Sequence, residues 1–167
     1  MANLDAIDRR LLGILQDEGR VTNVDLAERV GLTAPPCLRR VRALEESGVI
    51  RGYHADLDGA KLGFAITVFA MVSLKSQAEE ALRQFEDHMR ALPEVRECHM
   101  LNGEIDFILK IVSKDLQSFQ EFLTSKLTPA PNVASVKTSL TIRTAKHQPG
   151  VPMERVVTTV ERHANTS

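Results

Sequence analysis

The sequence predicts an α+β protein made of two unlike halves. Three observations carry that reading. Apolar residues recur at helical spacing through about the first fifty positions, strand-like apolar runs alternate with amphipathic helices beyond Phe64, and a turn between Gly59 and Gly63 separates the two patterns. The expected divisions are residues 1–58, a hinge at 59–63, a second domain at 64–146 and a C-terminal tail at 147–167.

The first half reads as three short helices. Leu4, Ile7, Leu11, Ile14 and Leu15 form one helical stripe, and Gly19 ends it. Thr22 is placed to cap a second helix, with Asp25 reaching back in a capping-box-like arrangement. Val24, Leu26, Ala27 and Val30 are its apolar stripe, and Gly31 supplies the left-handed position that ends it. A third helix starts near Thr33, with Pro35 and Pro36 in its first turn, where a missing amide costs little. Cys37, Leu38, Val41 and Leu44 are expected to face inward, and Arg39, Arg40 and Arg42 outward. Only Gly31-Leu32-Thr33 separate the second and third helices, which is the spacing of a helix-turn-helix. Residues 50–57 alternate loosely and suggest a strand leading out of this module.

The second half changes period. Residues 65–74 (AITVFAMVSL) read as a strand, and 77–92 as an amphipathic helix with Ala81, Leu82, Phe85, Met89 and Leu92 inward. Pro93 stops that helix. Residues 95–101 and 106–112 read as a hairpin around Asn102-Gly103, a tight-turn dipeptide. A second helix at 115–127 and a strand at 133–143 complete a ferredoxin-like β-α-β-β-α-β order. In the first strand Ile66, Val68, Ala70 and Val72 alternate with Thr67, Phe69, Met71 and Ser73, so both faces carry apolar residues. Helices on one side cannot cover both faces, which predicts a homodimer that stacks two sheets. The Pro-rich and then polar tail from Gln148 is expected to be loosely ordered.

Composition narrows the function. The chain has 167 residues, no Trp and 4% aromatics, which argues against a broad stacking platform for sugars or bases. No apolar run is long enough to cross a bilayer, and the first residues lack an export pattern, so a cytoplasmic protein without membrane partners is expected. Cys37 and Cys98 are far apart in sequence and read as free thiols. The five histidines show no HExxH or HxxxH spacing, and no nucleotide-type glycine loop or GxSxG elbow occurs, so neither metal, cofactor nor catalysis is expected. Net charge is −1, but between Arg29 and Arg51 five arginines stand against two glutamates. Guanidinium is the group suited to phosphate and guanine.

The run GRVTNVDLAERVGLTAPPCLRRVRALEESGVIRGYHADLD, followed later by ECHMLNGEIDFILKI, resembles the Lrp/AsnC, or feast/famine, regulators from about Leu4 to Lys146. The resemblance implies a winged helix-turn-helix that binds double-stranded DNA. It also implies a dimer that often assembles into octamers, and a small effector, with an amino acid as the expected class. Carried over, the DNA-facing residues are Thr33, Ala34 and Pro35 with Arg39, Arg40 and Arg42. Relatives usually carry a hydroxyl or small polar residue in place of Pro35. The effector residues would be Met100, Asn102, Gly103, Glu104 and Asp106 around the hairpin and Leu116 on the next helix, facing Thr138, Ser139, Leu140 and Thr141 of another copy. Relatives commonly carry a small hydroxyl residue where Asn102 stands.

Gly103 has no Cβ, so a ligand carboxylate can approach the loop amides, and Asp106 can accept from an ammonium. Alternatively Asp106 pairs with Lys110 further along the same strand face. Two other functions share the architecture. One is a sirohaem-type tetrapyrrole decarboxylase, for which the apolar sheet faces offer no basic cluster. The other is an effector-independent, chromosome-organising DNA-binding protein.

Overall fold

The computed structural model describes residues 4–153. The chain divides into two compact units: the described residues up to Asp56 together with those from His147 onward, and Leu57–Lys146.

The first unit contains α1 (Ala6–Asp17), α2 (Asn23–Val30) and α3 (Ala34–Glu46). Asp5 caps α1 in a reciprocal box with Asp8, each side chain accepting from the other's backbone amide. Thr22 caps α2 by accepting from the amide of Asp25 at 3.2 Å. The expected return arm differs, because the Asp25 carboxylate accepts from the Thr22 hydroxyl at 2.7 Å rather than from its backbone. Gly31 ends α2 at φ 75°, a region in which a side chain is strained. Leu11, Ile14, Leu26, Ala27, Val30, Cys37, Val41 and Leu44 form the core of this unit.

Residues 51–58 form no strand and are exposed throughout. Their alternation is real, but a strand needs a ladder partner for its amides and carbonyls, and this unit's described residues supply none. The segment is tied to α3 by Tyr53, which donates its hydroxyl to Glu45 Oε1 at 2.9 Å. The beginning of the expected tail also differs from expectation. The Gln16 side-chain amide donates to the Val151 carbonyl at 2.8 Å and accepts from the Val151 amide at 2.9 Å, pinning that residue beside α1. The rest of the tail lies outside the described residues.

The second unit opens with a 3₁₀ turn, Ala60–Leu62, and then β1 (Ile66–Leu74), α4 (Glu79–Arg90), β2 (Val95–Met100), β3 (Phe107–Ser113), α5 (Leu116–Phe122) and β4 (Val133–Leu140). A π-helical turn, Leu123–Leu127, extends α5. The four strands pair antiparallel in the order β2-β3-β1-β4, the ferredoxin-like arrangement. Val68, Ala70, Val72 and Leu74 of β1 and Phe107, Leu109 and Ile111 of β3 pack against Phe85, Met89, Phe119, Phe122 and Leu127. The rings of Phe85 and Phe107 lie 4.8 Å apart. The opposite face carries Phe69, which is exposed, and Met71, Ile108 and Val112, which are half-buried among the described residues. None of the helices among the described residues is long and apolar enough to cross a membrane.

The Asn102-Gly103 hairpin is looser than expected. A two-residue turn of the favoured type needs positive φ at both central residues. Neither Asn102 nor Gly103 has it, and residues 101–106 form an open loop closed by the Leu101 amide donating to the Asp106 carbonyl at 2.8 Å.

Tyr53 is the chain's single tyrosine and Trp is absent, so its ionisation can be read directly from phenolate absorbance. Reduced hydration, and then the Glu45 carboxylate, push its phenol up to about 12. The expected result is a midpoint near that value in the folded chain and near about 10 in denaturant. Its contribution to stability is therefore complete below about pH 10 and lost as pH rises through about 12. A folded-state midpoint near 10 would contradict the Tyr53–Glu45 bond.

Candidate functional site

Two regions of the structure gather the candidate residues. The first is the outer face of α3. Thr33 is the N-cap in extended conformation, and its hydroxyl makes no capping bond. Pro35 and Pro36 occupy the first turn, so two of the amides usually free at a helix start are missing. Asn23 Nδ2 donates to the Ala34 carbonyl at 2.9 Å and holds this end against α2. Cys37, Val41 and Leu44 are buried, while Thr33, Pro35, Arg39 and Arg42 are exposed.

Two of the expected roles on this helix change. Arg40 does not point outward with its neighbours. Its guanidinium donates to Asp5 Oδ2 at 2.7 Å and Asp8 Oδ1 at 2.8 Å, both at the start of α1. At about 100° per residue Arg40 falls on the flank of the buried stripe, which faces α1, and Arg39 falls well away from it. The Asp8 amide, and then Arg40, hold the Asp5 carboxyl below its ordinary range. Leu38 departs in the other direction: expected inside, it is 39% exposed. It sits at the margin of the apolar stripe, where periodicity alone does not decide burial.

The second region is the sheet's loop end. Asp106 is half-buried. Its Oδ2 accepts from the Leu74 amide at 2.6 Å and its Oδ1 from Gln77 Nε2 at 2.8 Å, so the carboxylate ties the hairpin loop to the β1–α4 connection. The alternative partner, Lys110, lies on the free sheet face and donates instead to Glu97 Oε1 at 2.8 Å, directly across the β2–β3 ladder. Lys110 holds the Glu97 carboxyl below its usual range. Asn132, with φ 67°, makes a comparable tie: its side chain bridges the carbonyl and amide of Ser76. Met100, Asn102, Gly103 and Glu104 are exposed around this loop.

The remaining effector candidates lie elsewhere in the chain. Phe107 at the loop pairs with Val72, whereas Leu140 pairs with Val68, about 14 Å further along β1 and two strands away from β2's neighbour. Thr138, Ser139 and Leu140 are exposed there, and Thr141 Oγ1 is shielded with no hydrogen-bond partner among the described residues. Leu116 follows Ser113 at the far end of β3, about 20 Å from Phe107. One chain therefore does not bring Leu116 or residues 138–141 together with the hairpin loop. Among the described residues, no group of three or more His, Cys, Asp or Glu side chains is placed to hold a metal ion. Burial raises the thiol of Cys37, and that of Cys98 to about 11, which leaves both protonated at neutral pH.

A helix-turn-helix with an arginine-bearing outer face, joined to a ferredoxin-like unit, defines the class: a DNA-binding transcriptional regulator with a ligand-binding domain. Residues 4–51 match the winged helix-turn-helix DNA-binding family, and residues 67–151 the Lrp/AsnC ligand binding domain. The chain belongs to the Lrp/AsnC family of transcriptional regulators. It is 54% identical over 143 residues to a leucine-responsive regulatory protein of Rhizobium meliloti, covering 86% of this chain and 92% of that one. It is 42% identical over 153 residues to the Bkd operon transcriptional regulator of Pseudomonas aeruginosa, covering 92% of this chain and all of the relative. The transcriptional regulator NMB0573 of Neisseria meningitidis, solved as a complex with L-Met, superposes with a TM-score of 0.85 at 35% identity, covering 90% of this chain and 97% of that one.

Two substitutions separate the roles assigned here. Asp106→Ala removes two charge-assisted bonds to the β1–α4 connection, each worth about 1.5–3 kcal/mol, and should lower unfolding stability in urea by an amount of that order. A loss within about 0.5 kcal/mol would show that the tie is not structural. Arg40→Ala should lower the melting temperature and leave sequence discrimination on DNA unchanged, because Arg40 is engaged with α1. A variant that melts normally but loses discrimination would return Arg40 to the DNA face.

Proposed function

We propose that this chain controls transcription in the cytoplasm by gripping DNA through Thr33, Ala34, Pro35, Arg39 and Arg42, in response to an amino acid bound between copies. The protein acts by binding rather than by catalysis. The observation that carries this reading is the separation of the two halves of the effector region. The hairpin loop exposes Met100 and Leu101, and the end of β4 exposes Leu140 and Ile142, at different ends of the sheet. Each half is an open apolar corner with polar groups beside it, and neither encloses a ligand alone. A site that needs two chains makes ligand binding and assembly the same event, which is how an effector can alter the presentation of paired DNA-binding units.

The effector class follows from the groups available. Exposed loop amides around Gly103 suit a carboxylate, and Met100 and Leu140 suit an apolar side chain. Among the described residues Asp106 uses each oxygen once, and it retains lone pairs that can accept from an ammonium. The L-Met complex of the Neisseria relative and the leucine-responsive name of the Rhizobium relative support an apolar amino acid.

The free sheet face supplies the dimer contact. Phe69, 38% exposed, sits beside Met71, Ile108 and Val112, with the Lys110–Glu97 pair at one edge. A second copy stacked on this face buries all four. Dimers joined through the loop and β4 corners then form the larger assembly, such as an octamer.

Sedimentation tests both contacts. Phe69→Asp should weaken the dimer by about thirtyfold or more, the scale of a central interface residue, and yield monomer at micromolar concentration. L-leucine or L-methionine should change the distribution above the dimer and raise the melting temperature by mass action. An unchanged dimer in Phe69→Asp would remove the sheet face from assembly. Indifference of assembly and melting to all twenty amino acids would remove the effector class.

A further inference from the structure

We propose that Pro35 and Leu38 are specificity-determining residues that read thymine methyl groups in the major groove, beside the contacts made by Arg39 and Arg42. The inference rests on the reading of α3 as the DNA-contacting helix. On α3, Pro35, Leu38, Arg39 and Arg42 follow an i, i+3, i+4, i+7 spacing and share an arc of about 100°. Pro35, Arg39 and Arg42 lie roughly opposite the buried Cys37, Val41 and Leu44, and Leu38 forms the edge of the arc nearest that stripe. All four residues on the arc are exposed, Leu38 by 39%.

The composition of the arc decides what it can recognise. Arg39 and Arg42 make no ion pair among the described residues, whereas Arg40 is held by Asp5 and Asp8. The two outward guanidiniums supply the donors for guanine or phosphate and give the surface its charge complementarity to a duplex. The other two residues carry no polar side-chain atom. Pro35 and Pro36 also lack the amides that a helix start normally offers, so this part of the helix has fewer backbone donors to give a base. An apolar surface pressed against guanine, cytosine or adenine edges leaves their hydrogen-bonding groups dry and unpaired. The thymine C5 methyl is the major-groove group that such a surface satisfies. The helix therefore favours half-sites in which thymine sits next to the base or phosphate taken by Arg39.

The test uses the full chain and needs no known operator. Duplexes are enriched from a random pool, and each thymine of the enriched sequence is then replaced by deoxyuridine, which keeps base pairing and removes only the methyl. In anisotropy titrations at fixed salt, at least one replacement in each half-site should weaken binding roughly fourfold, the worth of one buried methyl group. Leu38→Ala or Pro35→Ala should bind the thymine duplex at about the weakened level and no longer distinguish the two bases at that position. Equal binding of the native chain to the fully substituted duplex overturns the proposal, and so does full discrimination retained in both variants. Failure to enrich any duplex overturns the reading of α3 on which the proposal rests, and it is a visibly different result.

Discussion

The second unit is organised by β1, a central strand with apolar side chains on both faces. Hydrophobic burial requires cover on each side. Helices α4 and α5 and the turn after α5 cover Val68, Ala70, Val72 and Leu74 and form the core with β3. On the other face Phe69 is exposed and Met71 only half-buried among the described residues. A regulator built on this strand thus presents a surface suited to a second copy before any ligand or DNA is considered. The same strand is the ruler that places the loop at one end of the sheet and residues 138–141 toward the other.

The hairpin loop gains its definition from contacts outside itself. An open connection of residues 101–106 has no turn geometry that would hold it, and Gly103 meets nothing that a Cβ would disturb. Its anchor is Asp106, whose two oxygens reach the start of the β1–α4 connection. The residue proposed as a ligand anchor is therefore also the fastening of the loop proposed to hold the ligand. Both uses are compatible, because a carboxylate has about four acceptor directions and two are taken.

In the first unit the same economy applies to charge. Three adjacent arginines do not act as one patch, because a helix distributes consecutive residues around its axis. Arg40 serves the fold by joining α3 to the capping box of α1, and Arg39 and Arg42 remain outward. The partners of Arg40 are Asp5 and Asp8, which are remote in sequence and carry no pattern that points to it.

Periodicity in the amino-acid sequence was sufficient for the two halves, the three helices with their Thr22, Gly31 and Thr33 boundaries, and the β-α-β-β-α-β order, because each depends on local spacing and on residues with restricted backbone preferences. The family resemblance depended on the same local runs. Tertiary structure decided what local spacing does not contain. Residues 50–57 alternate yet lack a strand partner among the described residues, Asn102-Gly103 spells a tight turn yet opens, and Lys110 chooses Glu97 across the ladder over Asp106 along its own strand. It also decided that Arg40 turns inward, that Leu38 stays exposed, and that Leu116 is far from the hairpin loop. Each of these depends on which distant segment arrives next to a residue, and that is a property of packing in three dimensions.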